Sequence, residues 1–210
     1  MGSPRNPNNP GFFYDEAQGR YRDARGRFIA QSEIERILQA RIDEGIDRLE
    51  DYLTALREAD ADLDQWQEAF AVELRRMHTQ IYAYGGGGWR NVPAEEWLEV
   101  GRGLKQEYGY LNNFAVEIAS GELSQAQIRA RMNQYANHAW GVYWQGDQAA
   151  KKAAGFDEMM RELNPAEHCD DCRRLAGHWE PLGSLPLPTQ GTQCRSNCKC
   201  SVVYRKRPAT

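Results

Sequence analysis

The chain lacks any apolar run that approaches the ~20 residues a helix needs to cross a bilayer, so it offers no candidate helical span. Its first residues, MGSPRNPNNPGFF, lack the apolar core of a secretory signal. They also lack the Ser or Thr that myristoylation requires at the sixth position, where Asn6 stands. Basic excess is missing as well. With 26 Lys and Arg against 30 Asp and Glu, the formal net charge is -4, and no global field points to nucleic acid. There is no H-E-x-x-H spacing, no Gly-Lys-Ser/Thr after the glycine run at 85–88, and no internal repeat. All five cysteines fall between Cys169 and Cys200. These absences point to synthesis in the cytoplasm, a reducing compartment where clustered thiols suggest metal more than disulfides.

What is present is a globular balance, 41% hydrophobic and 27% charged over 210 residues, enough for one large domain or one domain plus an appendage. Residues 1–30 read as an extended N-terminal arm, since Pro4, Pro7 and Pro10 oppose an early helix and glycines at 19 and 26 interrupt a later one. The arm interleaves Phe12, Phe13, Tyr21 and Phe28 with Arg20, Arg22, Arg25 and Arg27. These residues are candidates for docking onto a partner, against the plainer alternative that the aromatic side chains pack back on the body.

Residues 31–164 read as a helical bundle. Ser32 and Glu35 form a capping-box pattern, followed by apolar residues at 34, 37, 38, 42, 46, 49, 53 and 56. A second helix runs from about Asp62 to Tyr84, with Trp66, Phe70, Leu74, Met77 and Ile81 on its stripe, and ends at four glycines that read as a flexible connector. A third begins near Pro93, and a fourth opens at the box Ser124–Gln127 and runs to about Ala154. A short helix over 156–163 follows. The fold class expected is mainly α: long amphipathic helices in a bundle, with a small C-terminal β element. The aromatic stripes read as core, and His78 and His138 each stand alone among apolar or amide neighbours.

Residues 165–210 hold the chemistry. Cys169-x2-Cys172 offers two thiolates to one ion from a single tight turn, and Cys194, Cys198 and Cys200 form a second group. The spacer between them is rich in Gly and Pro, and SVVYRK reads as a strand. Such a segment is too short for its own core, and a structural zinc would supply the missing folding energy. Cys169, Cys172 and Cys200 lead as ligands. Cys194 and Cys198 compete for the fourth place, with His168 and His178 as outside candidates. A disulfide framework and a redox Cys-x2-Cys are the alternatives. Five thiols leave one over in the first, and the strand–helix setting of the second is missing. No catalytic residues stand out, because surplus thiols suit a closed site without the open position a catalytic zinc keeps. From Glu167 onward seven basic residues face four acidic ones, and Arg205, Lys206 and Arg207 are candidates for meeting nucleic acid.

A helical body followed by Cys169-x2-Cys172, a Gly/Pro-rich spacer and CRSNCKCSVVY resembles the head morphogenesis proteins of tailed phages, the minor head or minor capsid proteins of the phage Mu type. Cys198-Lys199-Cys200 matches the Cys-Arg-Cys element of their His-x2-Cys-Arg-Cys knuckle, and 201–204 matches the strand that follows. Cys194 stands near the place of the family's His but one residue further upstream, which leaves the fourth ligand open. The resemblance covers roughly residues 165–204. It implies a non-enzymatic virion component, inside the head near portal or coat protein, that assists assembly, DNA packaging or ejection. Portal, major coat protein and packaged DNA are then the expected partners, with no membrane and no small-molecule substrate. The alternative is a zinc-dependent nucleic-acid-binding module, with affinity that falls steeply with salt.

Overall fold

The computed structural model describes residues 5–6 and 9–207, with side chains from residue 11 onward. Pro4 and Pro7 of the expected arm lie outside the described residues. The chain is mainly helical. Strands β1 (Arg5–Asn6), β2 (Asn9–Asp15) and β3 (Arg20–Arg22) precede four long helices, α1 (Gln31–Arg57), α2 (Leu63–Gly85), α3 (Ala94–Ala119) and α4 (Gln125–Ala153). Then come β4 (Glu158–Glu162), a six-residue helix α5 (Asp170–Leu175), β5 (Glu180–Pro181), a 3-10 turn (Arg195–Asn197) and β6 (Ser201–Arg205). Among the described residues no helix is long and apolar enough to cross a membrane.

The chain forms two compact units. One takes the described residues up to Ala30, Ile81–Pro93 and everything from Trp140; the other takes Gln31–Gln80 and Ala94–Ala139. Helices α2 and α4 therefore contribute to both.

The second unit is the helical bundle. The stripe read from the sequence is buried on α1 at Ile34, Leu38, Ile42, Leu49 and Leu53. Its gap at Gly45 is filled from α2, because a β-carbon there would collide with the Met77 sulfur. Trp66 and Phe70 of α2 meet Phe114 of α3 at ring-centroid distances of 5.7 and 6.4 Å, and Phe70 meets Tyr135 of α4 at 5.5 Å. Helix starts follow local chemistry. At α4 the Ser124 amide donates to Gln127 Oε1 (2.9 Å) and the Gln127 amide to Ser124 Oγ (3.4 Å), as the sequence suggested. At α2 the same reciprocal pair is made by Asp62 and Gln65, at 3.0 and 2.8 Å. The Ser32–Glu35 box does not start α1. That helix already begins at Gln31, whose side chain reaches Glu35 at 3.5 Å.

In the first unit the glycines at 85–88 are buried and tightly packed, not a flexible connector. A β-carbon on Gly85 would meet the Tyr143 carbonyl oxygen and come within 2.8 Å of the Asp147 amide nitrogen. One on Gly146 would meet the Tyr82 carbonyl oxygen and the Gly86 nitrogen at 2.9 Å. The glycines thus let α2 and α4 touch backbone to backbone, and Gly87 turns the chain at φ 82° under the Tyr14 ring.

The helix expected over 156–163 is instead β4, the central strand of a sheet ordered β5-β4-β6, antiparallel throughout, with Met159 opposite Tyr204 and Arg161 opposite Val202. Strand geometry puts Met159 and Arg161 on one buried face. Pairing to both sides decides the state here, overriding a helix-prone EMMRE.

Candidate metal centre

All five cysteines are free thiols, and their side chains gather in one cluster within the first unit. Three local devices deliver them. Cys169 sits at the N-cap of α5 and Cys172 inside its first turn. Cys194 and Cys198 flank the 3-10 turn, and Cys200 immediately precedes β6. Cys172 is the hub. Its sulfur lies 3.5 Å from Cys194 Sγ and 3.8 Å from Cys198 Sγ. Among the described residues two trios can each hold a metal ion: Cys169, Cys172 and Cys194; and His168, Cys172 and Cys200.

His168, an outside candidate from sequence, is therefore inside the site, whereas His178 is exposed beside Glu180 at 3.9 Å. The hydrogen bonding of His168 suits a ligand. Nε2 lies 2.7 Å from the Asn164 carbonyl oxygen, which can only accept, so Nε2 carries the proton. Nδ1 then keeps its lone pair and faces Cys200 Sγ at 3.6 Å. Asn164 also ties down the second cysteine group, donating through Nδ2 to the Lys199 carbonyl (2.8 Å) and accepting from Ser201 Oγ (3.2 Å). Asp171 of α5 accepts from the Gln193 amide at 3.1 Å, which holds the Cys194 segment against the first pair.

Sequence reading missed Arg161 altogether. It is fully buried, yet it is a guanidinium. Its Nη1 lies 3.5 Å from both Cys172 Sγ and Cys198 Sγ, its Nη2 donates to the Pro186 carbonyl, and its Nε is without a partner. A buried cation needs opposite charge nearby, and the groups within reach of this one are sulfurs, which carry such charge only as thiolates. The thiols are sorted accordingly. Backbone hydrogen bonding, chiefly from Cys172, brings Cys169 down to about 7. Burial pushes Cys172 and Cys194 up to about 12 and raises Cys200 as well. Cys198 is held below the ordinary thiol value even though burial pushes it upward, because backbone hydrogen bonds at Thr189 and Cys200 and the Arg161 charge favour its thiolate.

The candidate docking residues of the arm separate into two kinds. Tyr21 is buried and not available to a partner: its hydroxyl donates to the Tyr84 carbonyl (2.7 Å) and its ring packs against Tyr14 and Tyr84. Phe12 and Phe13 are half-buried. Arg22 pairs with Asp15 at 2.8 Å and lies over the Phe28 ring, where Arg20 joins it; Arg27 pairs with Asp23 at 2.7 Å. Arg20, Arg25, Arg27 and Phe28 remain on the surface. In the basic tail, Arg205 and Arg207 both engage Glu158, at 2.5 and 3.2 Å, and Lys206 lies over the Phe156 ring.

A second polar cluster, in the bundle, also went unforeseen. His78 and His138 face each other with ring centroids 6.1 Å apart, and His138 Nδ1 is 2.8 Å from Glu107. Burial keeps His78 neutral, its pKa brought down to about 4. The sequence hid this because the three residues lie on three different helices.

Compared with protein-family models, curated proteins and solved structures, the chain matches none.

Proposed function

We propose that this chain is a non-enzymatic structural protein whose C-terminal segment folds around zinc, and that it serves as a minor head protein of a tailed phage. The observation that carries the reading is the gathering of five thiols in one cluster from separate short pieces of chain, with two trios, one of them including His168, close enough to hold an ion. Zinc fits the donor chemistry, since it takes thiolate and imidazole ligands together. It fits the spacing too. Tetrahedral zinc places two sulfurs about 3.8 Å apart, and a sulfur and a ring nitrogen about 3.6 Å apart. The separations here are 3.5 and 3.8 Å for sulfur pairs and 3.6 Å for Cys200 and His168. A surplus of donors leaves no coordination place for water, which supports a bracing role over catalysis.

The phage assignment rests on the knuckle motif and the strand after it. Docking to portal or coat protein is favoured over DNA binding because Arg22, Arg27, Arg205 and Arg207 are already neutralised by Asp15, Asp23 and Glu158. The test is co-expression with the portal and coat proteins of a tailed phage, followed by gradient purification of the particles. The chain sedimenting with particles, below one copy per coat subunit, supports the reading. A chain that stays at the top of the gradient and binds duplex DNA with a steep salt dependence refutes it in favour of a nucleic-acid-binding module.

A further inference from the structure

The cluster holds more donors than one tetrahedral ion uses, and it holds them in an ordered way. The two metal-competent trios have a single member in common, Cys172. On one side lie Cys169 and Cys194; on the other lie His168 and Cys200. Cys198 belongs to neither trio, and its sulfur stands 3.8 Å from that of Cys172. Arg161 touches Cys172 and Cys198 equally, at 3.5 Å each.

We propose that the site is binuclear: two zinc ions share Cys172 and Cys198, one completed by Cys169 and Cys194, the other by His168 and Cys200. This rests on the zinc reading above and goes beyond it in number and connectivity. Two four-coordinate ions that share two ligands need six donors, which is the number present. The arrangement gives a place to the fifth thiol and to His168, which a single tetrahedral ion leaves idle. It also closes the charge. Two divalent ions with five thiolates and a neutral imidazole leave one negative charge, and one buried guanidinium lies against the two shared sulfurs. A single ion bound by four thiolates would carry two negative charges beside that same cation.

The test is zinc stoichiometry of the full chain by native mass spectrometry, after chelation and stepwise readdition of zinc alone. Two zinc ions per chain are expected. Cys169→Ser and Cys200→Ser are each expected to retain one ion, with His168→Ala behaving like Cys200→Ser. Cobalt replacement gives a second readout that does not depend on any variant folding. Two Co(II) ions joined by thiolates couple magnetically, so the second equivalent lowers the EPR signal that the first one raised. Saturation at one ion, with a Co(II) signal that rises to one equivalent and stays there, overturns the binuclear centre and leaves the zinc module standing. No bound metal at all overturns both.

Discussion

Replacing Arg161 by Met should separate the metal-loaded from the metal-free protein by the sign of its effect. Met keeps most of the buried volume and removes the charge. Arg161 Nη1 lies 3.5 Å from the sulfurs of Cys172 and Cys198, and bound zinc would turn both contacts into charge-assisted ones to thiolate. Hydrogen bonds to charged groups contribute about 1.5–3 kcal/mol, and contacts of this length belong at the low end. Loss of such an outer partner lowers metal affinity by about 10–100-fold. That corresponds to about 1.4–2.8 kcal/mol. In the metal-free chain the balance differs, because protonated thiols no longer offset a buried cation whose Nε lacks a partner. Removing a buried charge in favour of an apolar side chain is then neutral to stabilising by about 1–4 kcal/mol, less about 1 kcal/mol for the donor taken from the Pro186 carbonyl. Chelator competition reads the zinc affinity, and denaturant melts with and without chelator read the two stabilities. Weaker zinc binding with an unchanged or stabilised metal-free form is the expected result. Equal destabilisation of both forms would refute the reasoning and make Arg161 a packing residue only.

Two buried groups should give opposite pH dependences. Asp147 is raised to about 6, chiefly by burial, so it contributes stability below its ordinary carboxylate value that is lost as pH rises through 6; Asp147→Asn should remove that slope, worth about 3 kcal/mol at most by linkage. His78 is lowered to about 4, again chiefly by burial, so its contribution is present above 6.5 and lost as pH falls toward 4; His78→Gln should flatten the acid limb in denaturant melts. Glycine-to-alanine changes should split by site. Gly109→Ala on α3, with open space around it, should stabilise by about 0.5–1 kcal/mol, whereas Gly146→Ala should lose about 1–3 kcal/mol by forcing α2 and α4 apart. In the metal-free protein, iodoacetamide should modify Cys169 first and Cys172 and Cys194 last, as mapped by peptide mass spectrometry, and zinc should protect all three.

The long helices were legible because their apolar spacing repeats over many turns, and because Ser124 and Gln127 state where α4 starts. The cysteine cluster was legible for a chemical reason: few other roles use five thiols in a stretch this short. What escaped was decided by distant partners. EMMRE becomes a strand only because residues 201–205 and 180–181 arrive on either side of it. Glycines 85–88 become a packed turn only because Gly146, some sixty positions on, meets the same helix end. Arg161 looked like one more surface charge, since its burial depends on the strand assignment and on sulfurs eleven and thirty-seven positions away. His168 was legible as an outside candidate. Its place directly before Cys169 put it in reach of whatever the thiols hold.

The case for a metal as the brace of residues 163–200 follows from how little else is there. The six residues of α5 fall well short of the about 12–15 that an isolated helix needs for even marginal stability in water. β5 contributes two residues, and the 3-10 turn three. The apolar burial in this stretch is slight, with Leu185 and Leu187 as its buried aliphatic side chains. Side-chain hydrogen bonds from Asn164 and Asp171 fix the ends of the loops, but each contributes only about 1 kcal/mol net. Structural zinc binding is worth about 10–16 kcal/mol, part of which is spent on bringing its ligands close. The sheet β5-β4-β6 supplies that closeness at one end, by fixing Arg161 on β4 and setting Cys200 immediately before β6. Filling the site should therefore strengthen the pairing of β6 with β4. Stripping the metal should therefore loosen residues 163–200 before it affects the helical bundle, which hydrogen exchange with and without chelator would read.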